Sequence, residues 1–227
     1  PRVYMDAASS KEAQPSRIAS TRKQALQIAG VYEDAEVREK ISLAFPKLGI
    51  VACSGHLIDG PGDSRRFPPE AEAEAKRKIE EALKQMDANC GYSSAACGTD
   101  ILFLETMAER GGETHVFLPF AKQEFIETSV RRSDGNWVDR FEKVLDHATS
   151  VHYVTREGYN GEDSLFSFCN EIMLGFTAMR GRGLDETPKL LTFWDGQRGS
   201  TGGTGELVDR WRANFNEPVV ICANEVL

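Results

Sequence analysis

The run Gly199-Ser200-Thr201-Gly202-Gly203-Thr204-Gly205-Glu206 sets four glycines, two threonines and a serine immediately ahead of a helical pattern. Glycines let a backbone turn its N–H groups toward a ligand, and the hydroxyls add further donors. A helix start contributes its own unpaired N–H groups, so the combination suits a phosphate. No Gly-Lys-Ser/Thr follows, so this is not a Walker A loop, and the spacing is not G-x-G-x-x-G. The competing reading is an exposed loop in which Thr204 merely caps the next helix. Glu206 falls in the first turn of that helix, facing either the ligand or solvent.

Two further runs have the same small-residue character. Ser93-Ser94-Ala95-Ala96-Cys97-Gly98-Thr99-Asp100 leaves a strand-like segment and enters a periodic helix over residues 101–110. Small residues there let a ligand approach Ser94, Ala95, Gly98 and Thr99, although they also serve tight helix–sheet packing. Asp100 suits ribose hydroxyls, or stabilises the helix N-terminus as first-turn carboxylates do. Ser54-Gly55-His56, which leads on to Asp59, has the form of a phosphate-proximal turn. His56 is a ligand contact or proton donor in that reading, and a structural histidine in the other. Asp195-Gly196 sits between a strand and the glycine-rich loop. Arg65-Arg66, Arg131-Arg132, Arg180 and Arg182 are the guanidinium groups available to a phosphate, with Arg66 and Arg180 the leading two; otherwise they are solvated surface charge.

Several chemistries are missing. There is no H-E-x-x-H, His115, His147 and His152 show no metal spacing, and no G-x-S-x-G elbow occurs. Neither a metal nor a bound cofactor is called for. Five cysteines (Cys53, Cys90, Cys97, Cys169, Cys222) at scattered spacings form no C-x-x-C pair and no disulfide framework. They read as buried apolar thiols of a reducing, cytoplasmic compartment. The formal net charge of −8 disfavours a protein that tracks an extended nucleic-acid backbone. No apolar run approaches the roughly 20 residues that span a bilayer. The start, Pro1-Arg2-Val3-Tyr4-Met5-Asp6, lacks a signal layout and an initiator Met, so it reads as a processed chain or a segment of a longer one.

The elements that must position these loops alternate. Residues 48–53, 90–93, 114–118, 150–155, 189–194 and 219–222 read as strands. Helical patterns fill residues 68–86, 98–110, 122–130, 136–147, 165–179 and 205–213, and the pattern over 165–179 is apolar nearly all round, which predicts a deeply packed helix. Alternation of this kind predicts an α/β fold: a Rossmann-like, mainly parallel sheet covered by helices on both faces. Ligands of such sheets bind beyond the carboxyl ends of the strands, where strand order reverses, so all three loops fall on one rim. Residues 1–46 differ. Helices over 16–29 and 33–43 have too little apolar surface for a core of their own and form a short helical extension ahead of a domain over 47–227.

In order, Ser54-Gly55-His56, Ser94-Ala95-Ala96-Cys97-Gly98-Thr99-Asp100, Val116-Phe117-Leu118-Pro119-Phe120, and Trp194-Asp195-Gly196 with Gly202-Gly203-Thr204 resemble the SLOG superfamily. That group includes the LOG (lysine decarboxylase-like) enzymes and many nucleotide-ligand sensor domains. The chain is most similar to the C-terminal domain that follows tetratricopeptide repeats in bacterial signalling proteins. That resemblance makes residues 1–46 the tail of a helical array. It implies a nucleotide-derived ligand, a cyclic nucleotide or ADP-ribose-like molecule, a homodimer, and a sensor role in signalling or defence. LOG enzymes carry P-G-G-x-G-T-x-x-E, whose Glu supports N-glycosidic cleavage. Here the spacing is shortened to Gly202-Gly203-Thr204-Gly205-Glu206 and the proline is absent, which favours the sensor branch. The alternative is an N-glycosidase acting on nucleoside phosphates or NAD, with Glu206 as the leading acid or nucleophile and Asp100 or Glu171 behind it.

Overall fold

Short apolar runs without polar alternation can be satisfied only if both faces of a strand are covered. The computed structural model, which describes residues 14–63, 65–132 and 135–226, answers that requirement with a central sheet. In chain order the elements are α1 (Pro15–Val31), α2 (Ala35–Ala44), β1 (Gly49–Gly55), α3 (Glu72–Gln85), β2 (Ala88–Ser93), α4 (Thr99–Glu109) and β3 (Glu113–Leu118). Then follow α5 (Lys122–Phe125), α6 (Trp137–His147), β4 (Ser150–Tyr153), α7 (Ser164–Leu184), β5 (Lys189–Trp194), α8 (Thr204–Asn214) and β6 (Val219–Cys222). Expectations placed on residues 1–13, Ser64, Ser133 and Asp134 lie outside the described residues.

The six strands pair in the order β4-β3-β2-β1-β5-β6, every pair parallel. The chain builds outward from β1 to β4, then returns to the other side of β1 with β5. The order therefore reverses between β1 and β5, where a crevice opens beyond the strand ends. Strand alternation divides the core. Val51 and Cys53 pack with α3, α4 and α6, whereas Ile50 and Ala52 pack with α1, α7 and α8. On α3 the buried residues Ala75, Ile79, Ala82 and Leu83 fall at i, i+4, i+7 and i+8, one stripe toward the sheet.

Three details depart from the sequence reading. The helix expected over 122–130 starts as α5 and widens into a π-helical turn, Ile126–Val130. Helix α7 is longer than expected and is not buried all round. Cys169, Met173, Leu174, Thr177, Gly181 and Leu184 face the core, while Phe168, Phe176 and Met179 are exposed. A helix lying across one face of a sheet buries one stripe, and apolar residues elsewhere on it do not change that. The N-terminal segment also has a place on the domain: Ala19 of α1 joins the second core, and Lys23 Nζ donates to Gly183 O at 2.9 Å. No helix among the described residues is long and apolar enough to cross a membrane.

Candidate functional site

The loops after β1, β2 and β5 meet and are tied to one another. Ser54 and Thr204 bring their hydroxyl oxygens to 3.4 Å. Thr99 Oγ1 donates to His56 O at 2.9 Å, and Leu57 bridges Gly98 across the same junction. Two glycines make this closeness possible. Gly98 has φ +94°, and a Cβ on it would lie 2.5 Å from Ile58 N; Gly202 has φ +74°, and its Cβ would lie 2.4 Å from Phe166 Cβ. Both positions need φ > 0 and no side chain. Asn170 on α7 fixes the third loop by donating to Gly202 O at 2.9 Å.

Together the loops and the first half of α7 wall a cavity of about 420 Å³. Ser54, Gly55, Ser94, Asp100, Gly202, Gly203 and Thr204 line it, all of them residues singled out in the sequence. Hydroxyls of Thr128, Ser129, Ser200 and Thr201 and the rings of Phe125, Tyr159 and Phe166 complete much of the wall. Tyr159 stacks on Phe120 at 4.9 Å, and Phe166 meets Phe120 edge-on at 5.4 Å, so the ring surface is braced from behind. Helix α8 begins at Thr204 with no side-chain cap, so its first-turn N–H groups lack an intrahelical acceptor beside the cavity.

The start of α4 behaves differently. The N–H groups of Thr99 and Ile101 are taken by His56 O and Ala96 O, and Asp100 Oδ2 accepts the Ala96 N–H at 3.3 Å. An anion is not served there. Asp100 is 7% exposed, and its Oδ1 has no partner. Burial pushes its carboxyl up to about 7, against the smaller opposing pull of the Ala96 N–H and the Ser93 hydroxyl. Near neutral pH it shuttles between acid and carboxylate, the property a proton donor or a hydroxyl-binding group needs.

The remaining sequence candidates lie outside the lining. Arg66 clasps Asp195 with two bonds, at 3.0 and 3.2 Å, and His56 Nε2 accepts the Asp195 N–H at 3.1 Å. Burial, then the Arg66 charge, lowers His56 to about 4, so the ring is neutral and its 3.3 Å approach to Asp195 Oδ1 is no ion pair. These three groups brace the β1 and β5 loop bases. Ala95 is core, and Gly98 and Thr99 form the loop junction. Gly196 is exposed, and Arg180 donates to the Tyr92 hydroxyl at 3.2 Å, beneath α7.

Glu206 is fully engaged. It accepts from Gly202 N at 2.8 Å, from Ser167 Oγ at 2.8 and 2.9 Å, and from Arg210. The Gly202 N–H first, then Ser167 and Arg210, hold its carboxyl below the ordinary range. It fastens the loop to α7 and α8, and Glu171 is paired with Arg210 as well. The guanidinium that lines the cavity, among the described residues, is Arg132, which also bonds Asp63 at 3.3 Å. Tyr159, Asp163, Phe166 and Asn170 line the cavity without having been singled out; the only sequence signal was their position just ahead of, or at the start of, an apolar helix.

No family model and no curated protein matches the chain. Among solved structures it is similar to DNA processing protein A (DprA) from Streptococcus pneumoniae, at 13% identity and a TM-score of 0.36, over 79% of this chain. The chain spans about 60% of the length of that structure. The Rossmann-like assignment rests on the strand order and connections described above.

Proposed function

We propose that the cavity binds a nucleotide-derived small molecule and that the domain senses it. One observation carries this reading: three tied strand-end loops wall a cavity of about 420 Å³ at the point where strand order reverses. That volume falls in the range of small-molecule sites. Rings of Tyr159 and Phe166 suit a base, hydroxyls of Ser54, Ser94 and Thr204 suit a sugar, and the α8 start with Gly202 and Gly203 suits a phosphate. The SLOG resemblance supports the same class, a cyclic nucleotide or ADP-ribose-like molecule, and places such domains in bacterial signalling and defence proteins of the cytoplasm, commonly as dimers. Occupancy would be relayed through α7, which touches both the glycine-rich loop and α1.

A second reading, cleavage of an N-glycosidic bond, is favoured by a different residue from the one the sequence suggested. Glu206 has no free lone pair for chemistry, whereas Asp100 offers a bare oxygen to the cavity and a carboxyl near pH 7. Such a group can protonate a leaving base.

Thermal denaturation of the full chain with NAD, ADP-ribose, cyclic dinucleotides and mononucleotides tests both. A ligand at 100 times its Kd adds about 2.7 kcal/mol, roughly 5–10 °C for a chain of this size. Gly203→Asp, which sets a carboxylate at the phosphate end, should erase the shift. Chromatography of the same mixtures separates the two readings: intact ligand supports sensing, and released base supports cleavage. No shift with any of these compounds overturns the proposal.

A further inference from the structure

Glu113 and His115 alternate on β3 and so share one face of the sheet, and the register of the parallel pair sets Cys90 of β2 beside Glu113. All three are buried. Cys90 Sγ lies 3.9 Å, and His115 Nε2 3.6 Å, from the same oxygen, Glu113 Oε2; the three ligand atoms all lie within 4.8 Å of one another. Bonds of about 2.0–2.3 Å around a tetrahedral zinc ion separate ligand atoms by roughly 3.3–3.8 Å. Small side-chain adjustments bring the triad to that spacing.

The surroundings orient each donor inward. Glu113 Oε1 accepts the Ser16 N–H at 2.7 Å, which turns Oε2 toward the other two groups. His115 Nδ1 lies 2.8 Å from Ser150 Oγ, which in turn lies 2.8 Å from His152 Nε2, and Tyr92 stacks on the imidazole at 4.7 Å. A histidine held through Nδ1 presents Nε2 as the ligand atom, the usual arrangement behind a metal-bound imidazole. His115 is 6% exposed, and its Nε2 has no hydrogen-bond partner. As an N–H it lacks an acceptor within reach, and as a lone pair it lacks a donor. A cation between the three groups supplies what either tautomer is missing.

We propose that Cys90, Glu113 and His115 bind a divalent cation of zinc-like character. One sulfur, one nitrogen and one oxygen exclude the all-oxygen preferences of calcium and magnesium and suit zinc or a neighbouring transition ion. On binding, the Cys90 thiol gives its proton to solvent and its electron pair to the ion. Thiolate and carboxylate then balance the 2+ charge, and a water completes four-coordination. The site is separate from the cavity, because Glu113 opens β3 and the cavity lies beyond the strand ends. It joins β2 and β3 to the first turn of α1 through the Glu113–Ser16 bond. Sequence spacing gave no sign of it, since the three residues become neighbours only through strand register.

Titration of the metal-free full chain with Co²⁺, followed by Zn²⁺, tests this. The expected result is one ion per chain, a thiolate-to-cobalt absorption band in the near ultraviolet, and its displacement by Zn²⁺. X-ray absorption of the zinc-loaded wild type should show one sulfur among nitrogen and oxygen neighbours. His115→Phe, which keeps the stacked ring, and Cys90→Ser should abolish the band. Ser150→Ala touches no ligand atom and should weaken binding about 10–100-fold. Absence of binding, a band that survives Cys90→Ser, or zinc without a sulfur neighbour overturns the proposal, the last even if the variants fail to fold.

Discussion

Asp100 stands at a helix start with one oxygen bonded to Ala96 N–H and the other bare toward a cavity. Its folded pKa of about 7 lies above the unfolded value of about 3.8. The unfolded chain therefore loses this proton first as pH rises, and stability falls between about pH 4 and pH 7, then levels off. Asp100→Asn, an isostere of the protonated acid, removes that loss. Urea unfolding at pH 4 should show little difference between variant and wild type, and at pH 8 the variant should be more stable by about 3–4 kcal/mol. Equal stability at both pH values would place the carboxyl in water. Asp100 could be named from sequence because a first-turn acid after a small-residue turn is visible there. Its burial could not, since that comes from Cys53 and Cys169 on other elements. Glu206 shows the reverse: its motif position is legible, but Ser167, which occupies its oxygens, lies 39 residues earlier.

At the scale of elements, the strand-to-helix loops depend on glycine for different reasons, and the costs should separate. Gly111 at the end of α4 has φ +72° with open space where a Cβ would point, whereas Gly98 combines φ +94° with backbone at 2.5 Å. Gly111→Ala should cost about 1 kcal/mol, the left-handed penalty alone. Gly98→Ala should cost well beyond about 3 kcal/mol, because the β1 and β2 loops must part to admit the methyl group. Chemical denaturation of the two variants measures the gap, and similar costs would mean that the junction yields easily. Glycine positions, helix starts and strand runs were readable because each is a local preference. Helix α7 was misread for the same reason. Local apolarity records what a residue prefers, and only the packing of α7 across β1, β2 and β3 decides which stripe is covered, leaving Phe168, Phe176 and Met179 outside.

For the molecule as a whole, alternation of strands and helices made the parallel sheet legible, and with it the rim on which the loops sit. Strand order was not legible, although it decides which loops become neighbours: β5 beside β1 is what brings Thr204 to Ser54. The same topology turned several sequence candidates into supports. Arg66, Asp195 and His56 brace one another behind the rim, and Arg132 from the β3–β4 connection is the guanidinium at the cavity. The central claim is that this cavity is a nucleotide site. Calorimetric titration of the full chain with ADP-ribose, NAD, cyclic dinucleotides and mononucleotides, repeated on Ser94→Trp, addresses it most directly. The indole would fill the space between the β2 loop and α7 without touching the core. Saturable heat with one ligand per chain in the wild type, lost in Ser94→Trp, is the expected result. Heat that is unchanged in Ser94→Trp, or none with any nucleotide, would contradict the assignment.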